Sequence, residues 1–199
     1  MSKQLGMAKK LFESFYSTVY HRARVIKDKS FKDVVGEEYE TMRKTFYQNL
    51  GLKANKERIG HYDVDLVVRD PVTDQILIIE EDKGHYVDSC FMKRFLMNAA
   101  EIIDKYIQEG ETVPYIILSS PTSMSNYEKT YKYSSRLFRS EIKKIMDEKI
   151  VYLPYCSHDR VPQKKYYKNK NNCFALENAL ITKQLEFITK IKQGGNNVV

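Results

Sequence analysis

The sequence predicts an α/β protein, a mixed β-sheet flanked by helices. Three observations carry that expectation. Apolar residues recur at helical spacing near the N-terminus, the pattern shifts to short β-branched runs between Tyr62 and Glu81, and helices and strands then alternate as far as Leu153. The length of 199 residues fits one domain, expected to have its core at about 31–153 and a basic loop and helix at about 154–192.

Taken in order, Leu5 to Ile26 reads as a helix with Leu11, Phe15 and Val19 near one stripe. A second helix is expected from Phe31 to Leu50, where Val35, Met42, Phe46 and Leu50 recur, and Gly51 stops it. Tyr62 to Val68 reads as a strand, ended by a turn through Asp70 and Pro71. Ile76 to Glu81 follows as a buried strand, and the two form a hairpin. A helix from Asp88 to Gln108 shows an apolar face of Phe91, Phe95, Ala99, Ile102, Ile103 and Tyr106. Val113 to Leu118 is the next strand, with Pro114 at its start, where a missing N–H is tolerated. One helix near Tyr127 to Glu148, a short strand from Ile150 to Leu153, and a last helix over about Ala175 to Lys192 complete the order. Adjacent strands pair antiparallel, and strands joined through helices pair parallel.

Composition narrows the function classes. No apolar run approaches the ~20 residues that span a bilayer, and Met1 to Lys10 lacks the apolar centre of a signal peptide. The expectation is an intracellular protein, cytoplasmic or nuclear, with no membrane partner. Cys90, Cys156 and Cys173 form no CxxC pair, which argues against a zinc ribbon or a disulfide framework. The net charge is +7, yet Asp63, Asp65, Asp70, Asp74, Glu80, Glu81 and Asp82 face a single base, Arg69, within one stretch. A basic shell around an acidic centre suits a polyanion held over a metal site.

The acids close a strand, which gives them a geometry. Side chains alternate along a strand, so Glu81 and Lys83 share one face while Glu80 and Asp82 share the other. Hairpin pairing brings Asp65 toward Glu81, with Asp63 a rival because it is expected on the same face. Two carboxylates and the Asp82 backbone carbonyl suit Mg²⁺, which takes hard oxygen ligands and keeps several waters. A lysine two residues on orients or deprotonates a water and offsets charge growing on a phosphate, both of which phosphodiester cleavage needs. Glu38 lies on the apolar face of the second helix with Val35 and Met42, where a charge wants a metal or lysine partner.

Glu38, Asp65 in Tyr-Asp-Val-Asp-Leu-Val-Val, and the run Glu81-Asp82-Lys83 resemble the PD-(D/E)xK nuclease superfamily, the restriction-endonuclease-like fold. The following helix, strand and helix match that family's αβββαβ order, and the resemblance covers about Phe31 to Leu153. Val64 stands where the family often has proline. The resemblance implies a metal-dependent endonuclease with Asp65 and Glu81 as ligands, Lys83 as the water-orienting base and Glu38 as an accessory acid. DNA is the preferred substrate, with Mg²⁺ or Mn²⁺ as cofactor. A homodimer is a further expectation, from the need to cut two strands.

A narrower resemblance sets His21 before Glu38, Asp65, Glu81 and Lys83, an order similar to the cap-snatching endonucleases of segmented negative-strand RNA viruses. It implies single-stranded RNA as substrate and manganese at His21. His61 and His85 flank the acids and are alternatives to His21. A third reading is a nuclease-like fold that binds nucleic acid without cutting. Candidate nucleic-acid contacts are Lys93 and Arg94 at the start of the helix after the acidic strand, and Lys164, Lys165, Tyr166, Tyr167, Lys168 and Lys170 in an acid-free loop. Lysines suit phosphates and tyrosines stack on bases.

Overall fold

The computed structural model describes residues 2–25, 28–83, 89–120, 127–154 and 178–194. Among them the elements are α1 (Ser2–Val25), α2 (Asp28–Asn49), β1 (Lys53–Ile59), β2 (Tyr62–Arg69), β3 (Ile76–Asp82), α3 (Ser89–Gln108), β4 (Tyr115–Ser120), α4 (Tyr127–Ser134), α5 (Ser140–Lys149), β5 (Ile150–Pro154) and α6 (Asn178–Lys192). The protein is an α/β structure with one mixed five-stranded sheet, in the order β1-β2-β3-β4-β5. β1, β2 and β3 form an antiparallel meander, while β4 runs parallel to β3 and β5 parallel to β4. No described helix is long and apolar enough to cross a membrane.

Both sheet faces are covered, as the apolar runs in β3 and β4 require. Alternation sends Ile78 to one face and Ile79 to the other. Ile78 joins a core with Leu66, Val68 and Ile117 under α1, α2 and α6, through Phe12, Phe15, Tyr39, Phe46, Leu185 and Ile188. Ile79 joins a second core with Val67, Ile116 and Leu118 under α3 and α5, through Leu96, Ile103, Ile142 and Met146.

Two glycines end helices by the same device. Gly51 and Gly110 have positive φ, 73° and 68°. The amides of Gly51 and Leu52 close back on the carbonyls of Gln48 and Tyr47, and those of Gly110 and Glu111 on Ile107 and Tyr106. This is the Schellman arrangement, which satisfies carbonyls left over at a helix end.

Two sequence expectations are corrected. The helix expected over 127–148 is split, because Phe138 and Arg139 are extended between α4 and α5. Buried Ser134 and Ser135 precede the break. Extension at Phe138 lets its ring pack on the α3-side core. The strand β1 was not expected at all. It is a charged edge strand, Lys-Ala-Asn-Lys-Glu-Arg-Ile, joined to β2 by a turn at Gly60 and His61 in which Gly60 has φ 62°. Charge on an edge strand discourages pairing with other chains and hides the strand from a hydrophobic pattern.

Candidate metal and phosphate site

The site forms where β2 and β3 part. Their pairing runs from Arg69↔Ile76 to Leu66↔Glu80. At the next position the Asp65 side chain takes over, its Oδ2 accepting the Asp82 backbone N–H at 2.8 Å. A bulge sets this up. Asn55 pairs with Val67 and Glu57 with Val64, so Asp65 and Leu66 together face the single residue Lys56. Bulges re-aim side chains and recur beside active sites. Here the extra residue breaks the alternation that put Asp63 and Asp65 on one face. Asp63 is 83% exposed beside Arg58, whereas Asp65 is 14% exposed.

Lys83 joins the two strands' acids. Its Nζ lies 2.6 Å from Glu81 Oε1 and 3.6 Å from Asp65 Oδ2, and it sits 4.9 Å from the centre of the Phe91 ring. Burial pulls the Lys83 ammonium down, but Glu81 and Asp65 outweigh it and leave its pKa raised. The Glu81 carboxyl is pushed up by desolvation and then by the Asp65 charge, with Lys83 and Arg94 opposing.

Two further residues belong to this cluster, and sequence reasoning missed both. Lys56 on β1 places Nζ 3.3 Å from Glu40 Oε2 and 3.9 Å from Asp65 Oδ1. The Glu40 carboxyl is raised by desolvation and then by Asp65, with Lys56 and Lys83 opposing. The acid that α2 presents to Asp65 is thus Glu40, while Glu38 faces α1 and pairs with Arg22 at 3.0 Å. The helical projection placed Glu38 inward because it lies between Val35 and Met42, yet that flank of α2 is the one α1 covers. A lysine in a short segment bounded by Gly51 and Gly60 was the available signal for Lys56.

The other face of β3 carries a buried polar network. Arg43 and Glu80 are fully buried, with Arg43 Nε 2.5 Å and Nη2 2.7 Å from the two carboxylate oxygens. Arg43 also donates to Tyr47 and Gln184, Tyr47 donates to Glu80, and Gln184 donates to the Pro154 carbonyl. The Asp82 side chain lies here, not beside Asp65 and Glu81. Its Oδ1 is 4.0 Å from Arg43 Nε, and neither oxygen accepts a hydrogen bond. Desolvation and then the Glu80 charge push the Asp82 carboxyl well up, against Arg43. With its side chain on that face, Asp82 reaches the site through its backbone N–H alone among the bonds described.

Of the remaining sequence candidates, Arg94 lines a cavity of about 50 Å³ beside Glu81, with Phe91, Phe95 and Asn98. Lys93 is exposed on α3. His21 is exposed on α1 with its ring against Tyr20, and His61 is 3.6 Å from Glu101. Lys164, Lys165, Tyr166, Tyr167, Lys168, Lys170 and His85 lie outside the described residues.

The donor set fits a hard divalent cation in one specific way. Among the described residues, no three His, Cys, Asp or Glu side chains form a group that could hold a metal. Mg²⁺ does not need such a cage, since it binds through one or two carboxylates plus waters and substrate phosphates. Asp65 and Glu81 reach the same ammonium, and the Asp65 charge raises both Glu81 and Glu40, a repulsion that a cation relieves.

No protein-family model matches the chain, and no curated protein or solved structure matches it either.

Proposed function

We propose that the protein is a divalent-metal-dependent endonuclease of the PD-(D/E)xK kind, acting inside the cell and on DNA by preference. The observation that carries this reading is the convergence of Asp65, Glu81 and Lys83 where β2 and β3 part, with Asp65 held by the Asp82 amide. An antiparallel meander followed by two parallel strands, with helices on both faces, supports the restriction-endonuclease-like fold.

Asp65 and Glu81 would hold Mg²⁺ or Mn²⁺, with Glu40 the nearby accessory acid in the role expected of Glu38. Such an ion, when bound, supplies a polarised water and a counter-charge for the phosphate. The chain's own groups do the rest. The Asp82 amide holds one oxygen of the Asp65 carboxylate. Lys83, flanked by two acids, donates hydrogen bonds to a water or a phosphate oxygen, and so orients the water and stabilises charge. Arg94, at the rim beside Glu81, and exposed Lys93 give the approaching backbone two further positive charges.

The test is to incubate the purified protein with plasmid, single-stranded DNA and single-stranded RNA, each with Mg²⁺, Mn²⁺ or a chelator. Cutting of DNA that the chelator stops is the expected result. Faster cutting of RNA in Mn²⁺ would replace the DNA preference with the cap-snatching reading. Salt-sensitive binding without any cutting would leave only a binding module.

A further inference from the structure

Three carboxylates, those of Glu40, Asp65 and Glu81, meet two ammonium groups, those of Lys56 and Lys83. The two lysines are not equivalent. Lys83 is 22% exposed and held between Asp65 and Glu81, at 3.6 and 2.6 Å. Lys56 is 64% exposed, comes from an edge strand, and spans Glu40 and Asp65 by longer contacts of 3.3 and 3.9 Å. The bulge in β2 puts Lys56 opposite Asp65, so its position is built into the register.

We propose that Lys56 is the resident counter-cation of this acidic site, and that a divalent ion entering at Asp65 and Glu81 displaces it. The inference rests on the reading of Asp65 and Glu81 as metal ligands given above. The charges dictate the exchange. Two ammonium groups already offset most of three carboxylates, and a divalent ion added to all five leaves an excess of positive charge. Relief comes from the cation that is most exposed and least tightly held. Lysine's flexible four-carbon stem and strongly hydrated head let Lys56 swing into water at little cost, whereas Lys83 stays packed on Phe91.

The test is calorimetric titration with Mn²⁺ alone, without substrate, of the wild type and of Lys56→Met, Lys56→Arg and Lys53→Met. A unit charge facing a divalent one a few ångströms away in mostly aqueous surroundings alters affinity on the order of tenfold. Lys56→Met should therefore bind Mn²⁺ more tightly by about that factor, and Lys56→Arg should stay close to wild type. Lys53→Met should also match wild type, because Lys53, at the start of β1, pairs with Asp74 and not with the acids of the site. Unchanged or weaker binding by Lys56→Met overturns the proposal, as does an equal gain in Lys53→Met or no Mn²⁺ binding by any variant. Normal cleavage with unchanged Mn²⁺ affinity in Lys56→Met defeats this inference alone. Mn²⁺ binding without cleavage defeats the nuclease reading alone.

Discussion

Arg43→Met removes the one guanidinium buried among Glu80, Asp82, Tyr47 and Gln184. Methionine fills a comparable space, so the main loss is electrostatic. Arg43 gives Glu80 two charge-assisted hydrogen bonds at 2.5 and 2.7 Å, and both side chains are fully buried. Without it, Glu80 loses both guanidinium bonds and keeps the Tyr47 hydroxyl, and Gln184 loses a donor. Removing one partner of a buried pair costs about 3–5 kcal/mol, because the other is left as an uncompensated charge. With a urea slope of about 2 kcal/mol per molar, the unfolding midpoint should fall by about 2 M. Adding Glu80→Gln to Arg43→Met should recover a large part of the loss, since the stranded charge is gone. A loss below about 1 kcal/mol for Arg43→Met would refute the reasoning, because it is the size expected of an exposed pair.

Asp82→Asn tests the buried acid beside Glu80, whose carboxyl is pushed up by desolvation and then by the Glu80 charge. Folded Asp82 binds its proton above the unfolded value, so its contribution to wild-type stability falls as pH rises from the ordinary aspartate range through its raised folded pKa. Asp82→Asn should lose that part of the pH dependence and gain stability at neutral pH, as read by thermal unfolding across pH; an unchanged profile would count against a neutral Asp82. Glu81 and Glu40 are also raised, so protons compete with metal at a higher pH than at free carboxylates. Mn²⁺ affinity should climb with pH through and above the ordinary glutamate range, and a profile already flat at about pH 4.3 would contradict this. Glu40→Gln should weaken Mn²⁺-supported cleavage, while Glu38→Gln, which loses an exposed pair with Arg22, should leave it near wild type. The reverse order would restore Glu38 as the accessory acid.

Local periodicity carried most of the fold. The β2–β3 hairpin, α3, β4 and β5 each have an apolar pattern that burial alone explains. β1 has only Ala54 and Ile59 as buried residues and reads as a charged loop. The break before α5 depends on where Phe138 packs, which is a tertiary fact. The approach of Asp65 and Glu81 follows from strand pairing and was legible. The bulge was not, and it is the bulge that separates Asp65 from Asp63 and brings in Lys56. Glu38 and Glu40 are two residues apart on one helix, and only the position of α1 decides which of them reaches Asp65. Arg43, in the core between Tyr39 and Tyr47, lies outside any hydrophobic pattern, because its burial depends on Glu80 from a distant strand.

The proposed activity requires that Asp65 and Glu81 hold a cation and that Lys83 stabilise charge for phosphodiester cleavage. Single-turnover cleavage by Asp65→Asn, Glu81→Gln and Lys83→Met in Mg²⁺, with folding checked by circular dichroism, tests it most directly. Each rate should fall by on the order of 10²-fold or more, the scale of losing one group that stabilises transition-state charge. Wild-type rates in any two of these folded variants would contradict it.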